Sequence, residues 1–519
     1  MDYATDNGQI YIKLLSSVFL VVTSGLLIEA IWSLFLSPLS KVPGPKFAKI
    51  SSIPMLIAQS KSKRMYWVQS LFEDYGPIVQ IAPNVVATNE TEGIRKIYKN
   101  MKVFKGPFYE TFSIIDGSRP CLALRDVKQA NQRRKSYLPA FSRQNLMAFA
   151  PRIYEHLQEF IDKLDEVERQ GEALDAFCYW RYLTLDVVVD LTFNGKLNLL
   201  KHPGEGARFV DLTADQAKWF FLNIYFPFMG KFPEPLLPAK LLKWKQGAAD
   251  GEKFPKEALK NWREQRKAAN VESRSLDVIE TLSKFGEGTP NEKLTDGDIV
   301  TSISEIMTAG SDTTATIAAC VCFELANNPQ IQAKLYQELC QIIPGSVGTT
   351  FSPEMFSALE VSPYLNAVCK EGMRKYASLP ALLERVVPPE GMEINGTYLP
   401  GGTTIAMQAY SQHRKEDVYP GAERFFPERW LDETTEMKEN FLTFSAGNRA
   451  CVGLNLAHLQ LRLYLGTVLR EFELRLHPST TESSMKMLES YIITPQEKCL
   501  IHFTRRGAQG SETPANQVD

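Results

Sequence analysis

Phe444-Ser-Ala-Gly447-Asn-Arg449-Ala-Cys451-Val-Gly453 is the stretch on which the reading of this chain turns. A thiolate is stabilised by a metal, a cation or convergent backbone N–H groups. Gly447 and Gly453 permit a tight loop and close backbone approach. Arg449 puts a cation two residues from the sulfur. An apolar, helix-like run from Leu454 to Leu469 follows at once, so its positive dipole end faces Cys451. The loop is a cradle for a metal-bound thiolate, with a cation left for an acidic group on a cofactor. The rival reading is a buried structural cysteine in a turn.

Around this loop lies a chain of 519 residues, too long for one small domain. Apolar residues make up 44% and charged residues 23%, which excludes collagen, coiled coil and wholesale disorder. Lys+Arg 58 against Asp+Glu 60 gives a net charge of −2, so nucleic acid is not an expected partner. The eight cysteines form no C-x-x-C pair and thus neither a disulfide framework nor a zinc ribbon. Cys320 and Cys322 sit in an apolar run and read as core. The sequence has no G-x-G-x-x-G and no G-x-x-x-x-G-K-[ST], so electrons for any redox chemistry come from another protein.

Residues 14–36 carry a single charge, Glu29, and as a helix would span about 35 Å, enough for a bilayer core. Residues 37–64 hold Lys41, Lys46, Lys49, Lys61, Lys63 and Arg64 with no acid, against Lys13 alone before the run. The positive-inside rule then predicts a retained signal anchor over 14–36, a lumenal stretch 1–13 and a cytosolic bulk. Val42-Pro43-Gly44-Pro45 predicts a stiff proline-rich hinge over 37–48. Helical periodicity dominates 143–169 and 294–342, and β-like stretches occur at 77–88 and 392–409. Residues 246–275 read as a solvated helical face. The expectation is a mainly α protein with a minor β part: one large catalytic domain over 49–506 and a disordered tail over 507–519.

The spacing F-x-x-G-x-R-x-C-x-G resembles the haem-binding loop of the cytochrome P-450 family. Chance would produce its five fixed positions in such a chain on the order of once in ten thousand. Three further segments resemble the family in the expected order: Ala309-Gly-Ser-Asp312-Thr313-Thr, the E-x-x-R pair Glu371 and Arg374, and Phe425-Phe-Pro-Glu-Arg429-Trp430. The resemblance runs from the anchor to about residue 505.

The resemblance implies the cytochrome P-450 fold, with haem held by Cys451 as axial thiolate and Phe444 and Gly447 shaping its loop. Arg449, Arg385 and Arg134 would bind the haem propionates. The family's W-x-x-x-R segment has Ala130 at the aromatic position here, so Arg133 or a solvated basic turn stays open as an alternative to Arg134. Asp312 and Thr313 would deliver protons to oxygen. The Thr313 hydroxyl can take the Ala309 carbonyl, and Gly310 is expected to leave room above a flat cofactor. Thr295 and Asp298 predict a capping box for this helix. Glu371, Arg374 and Arg429 would form a buried structural network.

Residues 216–232 are crowded with aromatic rings and suit a lid over an apolar pocket. Residues 106–120 match the position of the family's substrate loop. The implied activity is that of a monooxygenase in the endoplasmic reticulum membrane. It would hydroxylate or epoxidise a lipophilic small molecule with O2 and electrons from NADPH–cytochrome P-450 reductase. Loop wording resembles the filamentous-fungal branch, whose commonest role is secondary-metabolite tailoring. Arg133, Arg134 and Lys135 could also dock the reductase. An oxygen-independent haem-thiolate isomerase or dehydratase, and a non-catalytic haem-binding protein, are the alternatives.

Overall fold

The computed structural model describes residues 3–112, 115–268, 277–287, 293–345 and 347–507. Its longest internal helix, Asp296–Asn327, begins at the expected capping box, in which Thr295 and Asp298 satisfy each other's backbone N–H groups. The 294–342 periodicity is not one helix, because Asn328-Pro329 breaks it and a second helix runs from Pro329 to Ile342. Proline at a first turn is tolerated, whereas inside a helix it removes a backbone bond.

This central helix packs along the helix Ala176–Phe193. Gly310 sits at their crossing: a Cβ there would lie 3.0 Å from Cγ2 of Val188. Gly310 therefore lets two helices approach, rather than clearing space over a cofactor as the sequence suggested. Leu183, Val187, Ile317, Val321 and Leu465 are fully buried around the contact. Each such side chain contributes about 1.5–3 kcal/mol on burial. Cys320 and Cys322 are core residues, as expected.

The minor β part comprises four sheets among the described residues, the largest with five strands in the order Ile78–Ala82, Val85–Thr88, Thr404–Ala406, Arg385–Val386, Phe104–Lys105. The first two form a hairpin, and Thr404–Ala406 joins it in parallel. The last pair sets Lys105 opposite Arg385.

At the N-terminus, Leu14–Leu36 is helical, apolar and uncovered by the rest of the protein, a candidate membrane span. The proline-rich segment beyond it is packed onto the domain. Leu39 and Val42 are buried, and Pro43 accepts the Gln80 N–H at 2.7 Å. Gly44 is required there: its φ is +149°, and a Cβ would meet the Gln80 carbonyl oxygen at 2.4 Å. Lys49 and Arg64, counted with the flanking charges, are withdrawn from solvent. Lys49 donates to the carbonyls of Ser40 and Val42, and Arg64 pairs with the buried Glu489. The tail beyond Gly507 and the stretch 269–276 lie outside the described residues.

Candidate active site

The helix Leu454–Glu471 starts three residues after Cys451, as the apolar run predicts. Ahead of it the chain turns tightly. Ser445 and Gly447 have φ of +57° and +69°, and the Cys451 N–H closes the loop on the Phe444 carbonyl at 2.9 Å. Gly447 is irreplaceable on two counts, because a Cβ there would lie 2.2 Å from the Tyr98 carbonyl oxygen. Phe444 stacks at a tilt against His458, 5.2 Å between ring centroids.

Cys451 is exposed, whereas Cys178 and Cys340 are half-buried and the other five cysteines buried, yet burial pushes the Cys451 thiol up. A side chain open to water and still deep among protein atoms lines an internal cavity. The Gly453 N–H and Arg134 pull the thiol down without overcoming burial. The loop's own dipoles therefore do not make the thiolate; a bound metal's charge would.

On one side of the loop stands the E-x-x-R network, fully buried. Arg374 grips Glu371 with two bonds of 2.8 Å and gives its other donors to the carbonyls of His413 and Arg424. Glu371 also accepts from the Phe426 N–H, Arg429 and the Trp430 indole at 2.9, 3.3 and 2.8 Å. Arg429 continues to the carbonyls of Pro420 and Gly421. His413 extends the network: one ring nitrogen faces the Arg374 carbonyl at 3.0 Å, and the other accepts the Leu442 N–H at 2.8 Å. The second bond requires an unprotonated nitrogen, and burial, followed by Arg374, pushes the imidazole down to about 3.

On the other side is a group of cations, of which Arg385 and Lys105 are buried and Arg449 and Arg134 half-buried. Arg385 lies over the Tyr98 ring and donates to the Glu384 carbonyl. Arg449 donates to the carbonyls of Arg125 and Asp126. Arg134 reaches the Ala450 carbonyl, next to the cysteine. Arg133 does not point there; it is paired with Asp298 at the start of the central helix. Of the two arginines, Arg134 is thus the one beside the cysteine loop. It also removes Arg133 from the basic docking face suggested for 133–135. A fourth cation, Lys105, had no sequence signal. It lies 4.2 Å over the Tyr109 ring and donates to the Leu122 carbonyl. Burial, then Arg385 and Arg449, pushes its amine down to about 7.

Among the described residues none of these four cations has a carboxylate within ion-pair distance. Buried and half-buried cations met only by neutral groups suit an acidic guest. No cluster of three or more His, Cys, Asp or Glu capable of holding a metal occurs among the described residues. A single thiol beside unpaired cations therefore fits an iron that arrives inside an organic ligand bearing carboxylates.

On the central helix, Thr313 Oγ1 donates to the Ala309 carbonyl at 2.8 Å, as expected. Thr308 and Ala309 are exposed within this otherwise buried helix. Asp312 is held by Arg181 at 2.6 Å, a partner the sequence did not disclose. Thr184 donates to the Ser311 carbonyl at 3.0 Å, a further hydroxyl bond within this stretch of the helix. The candidate substrate loop supplies Phe108, Tyr109 and Phe112. Phe112 meets Phe220 at 4.6 Å and Tyr491 at 6.2 Å between ring centroids, a wall built from three distant segments. Residues 113–114 of that loop lie outside the described residues.

Compared with known families, the chain matches Cytochrome P-450 over residues 43–503. Cytochrome P-450 monooxygenase orf2 of Aspergillus niger is 30% identical over 84% of this chain and 86% of its own length. Cytochrome P-450 monooxygenase FCK2 of Fusarium pseudograminearum is 30% identical over 95% of this chain and 87% of its own. Averantin hydroxylase of Dothistroma septosporum is 27% identical, with 86% and 82% covered.

Proposed function

Because this chain belongs to the cytochrome P-450 family and is thus a haem-thiolate monooxygenase, we propose that Cys451 is the residue that would hold the haem iron as a thiolate. We propose further that it hydroxylates or epoxidises a lipophilic intermediate of fungal secondary metabolism. The observation that carries this reading is the open thiol of Cys451 among protein atoms, beside buried and half-buried cations with no carboxylate at ion-pair distance among the described residues.

Haem with a thiolate ligand supplies cleavage of the O–O bond of O2. The chain's part is to hold and orient. Arg449, Arg385, Arg134 and Lys105 bind the two propionates. Gly447 and Phe444 fix the loop. Thr313 keeps a hydroxyl on the strip of helix beside Ala309, where it can pass on one proton and accept the next. Asp312, on turning away from Arg181, would take a proton from solvent and hand it to Thr313. The wall of Phe108, Phe112, Phe220 and Tyr491 excludes water and suits an apolar, ring-containing substrate.

Electrons come from NADPH–cytochrome P-450 reductase. Leu14–Leu36 anchors residues 49–506, the catalytic domain, to the cytosolic face of the endoplasmic reticulum membrane, with 1–13 in the lumen. Its mean hydropathy of 2.1 supports this. Lys41, Lys46, Lys61 and Lys63, which stay exposed, set the orientation.

The test is the absorption spectrum of the reduced, carbon-monoxide-bound protein, with Cys451→Ala as control. A strongly red-shifted Soret band that vanishes in the variant is the expected result. Folded protein with no haem, or with a Soret band like that of a histidine-ligated globin, would sink the reading. Product formation dependent on O2, NADPH and the reductase then tests the reaction.

A further inference from the structure

Glu305 sits inside the central helix, four residues before Ala309 and eight before Thr313. It is deep in the protein, and burial pushes its carboxyl up. A buried carboxylate is costly unless its oxygens are hydrogen-bonded. Those of Glu305 are directed at one short segment. Oε2 accepts the Cys121 N–H at 2.8 Å and Oε1 accepts the Leu122 N–H at 2.7 Å. The Tyr137 hydroxyl lies 3.1 Å from Oε2 and 2.9 Å from Ser302 Oγ, joining the same group.

The segment so held, Cys121–Asp126, has one 3₁₀ turn and otherwise irregular backbone. It is nevertheless where two of the four cations are seated. The Leu122 carbonyl receives Lys105 Nζ. The carbonyls of Arg125 and Asp126 receive Arg449 at 3.1 and 3.0 Å. Arg125 Nε returns to the Lys105 carbonyl at 2.9 Å. Glu305 thus grips by its N–H the residue whose C=O positions Lys105.

We propose that Glu305 is a positioning residue that ties the acid-binding edge of the haem site to the central helix. The helix that carries Thr313 and the cradle that holds the propionates then move as one body. The inference rests on the haem reading above. Glu305 touches neither substrate nor cofactor in this role; it acts through Leu122 and Lys105.

The experiment uses purified holoprotein and measures the rate of haem transfer to excess apomyoglobin. Glu305→Gln keeps the size but offers one acceptor oxygen and sets an amide N–H against a backbone N–H. One buried donor is then orphaned, and haem transfer is expected to speed up roughly tenfold. Glu305→Asp reaches one N–H only and falls between. Lys105→Met gives a similar acceleration. The double variant Glu305→Gln with Lys105→Met is expected to be little faster than either alone, because both changes act through one carbonyl. A merely structural role would make the two effects add.

Unchanged transfer in Glu305→Gln, or additive effects in the double variant, overturns the proposal. If Glu305→Gln yields no soluble protein, the ranking wild type, Glu305→Asp, with Lys105→Met as reference, decides; equal rates in wild type and Glu305→Asp overturn it. The carbon-monoxide spectrum is recorded throughout. A wild type without the thiolate band overturns the haem reading and this proposal together, whereas an intact band with unchanged transfer overturns this proposal alone.

Discussion

The two sides of the cysteine loop use arginines in opposite ways. Around Glu371 every donor and acceptor finds its partner in the same chain: Arg374 and Arg429 share one carboxylate and give their remaining N–H groups to four carbonyls. Around Lys105, Arg385, Arg449 and Arg134 the donors reach neutral groups, and among the described residues no carboxylate lies within ion-pair distance. The first cluster is finished when the chain has folded. The second is finished only when something acidic enters. Buried charge thus serves stability where it is closed and recruitment where it is left open.

The largest expected effect comes from breaking the closed side. Glu371→Gln strands two guanidinium groups in the core and is expected to cost about 3–5 kcal/mol. Urea unfolding of the apoprotein reads this as a lower midpoint at unchanged slope, and expression with a haem precursor reads it as little or no holoprotein. A midpoint equal to wild type would mean the network is not closed in the way the bonds indicate.

A smaller effect, about 2 kcal/mol when read at pH 5, follows from His413. Its folded-state value is depressed to about 3, against 6.5 for an ordinary histidine. The unfolded chain therefore binds the proton first as pH falls. The stability that neutral His413 contributes is complete above about pH 6.5. Below that it is lost at about 1.4 kcal/mol per pH unit until the pH nears 3. Asp186, raised to about 6 by burial, works in the opposite sense over part of that window. The comparison is therefore with His413→Asn, whose unfolding free energy should lack the histidine's slope. Parallel pH profiles would exclude the neutral bridge.

The smallest effect has the opposite sign and sharpens the contrast. Arg385→Met removes a cation that nothing in the empty protein neutralises, so the apoprotein is expected to gain about 1 kcal/mol or stay level, while haem transfer to apomyoglobin speeds up. Loss of apoprotein stability comparable to Glu371→Gln would erase the distinction between the two sides.

What was legible in the sequence was what one helical turn or one loop contains. The capping box of Thr295 and Asp298, the Thr313 bond to Ala309 and the Glu371–Arg374 pair all follow from spacings of three or four residues. Contacts fixed by distant pairing were not legible. Lys105 reaches the cations because a two-residue strand sets it opposite Arg385, and no periodicity reads from two residues. Glu305 carries no local signal, because its partners Cys121 and Leu122 lie more than 180 residues away in the chain. Gly310 was assigned the wrong neighbour, since the side of a helix that meets its partner depends on how the two cross. Ala130 stands where the family's pattern has an aromatic residue. It is completely buried, with Cys121 Sγ 3.9 Å from its carbonyl, so the local packing already takes a small side chain.

The seating of Gly44 against Gln80 has a mechanical meaning. Leu39 and Val42 are buried, and Ser33 Oγ, still within the N-terminal helical segment, donates to the Lys49 carbonyl at 2.6 Å. Almost no slack remains between the rod and the body it carries. In the membrane-bound state we propose, the globular part cannot swivel on a loose tether as a buoy does. Its tilt is geared to that of the rod, and a thicker or thinner bilayer would turn the whole enzyme like a rudder. Replacing Pro43-Gly44-Pro45 with a longer, flexible spacer would uncouple the two, and fluorescence anisotropy of the body in vesicles would register the freed rotation.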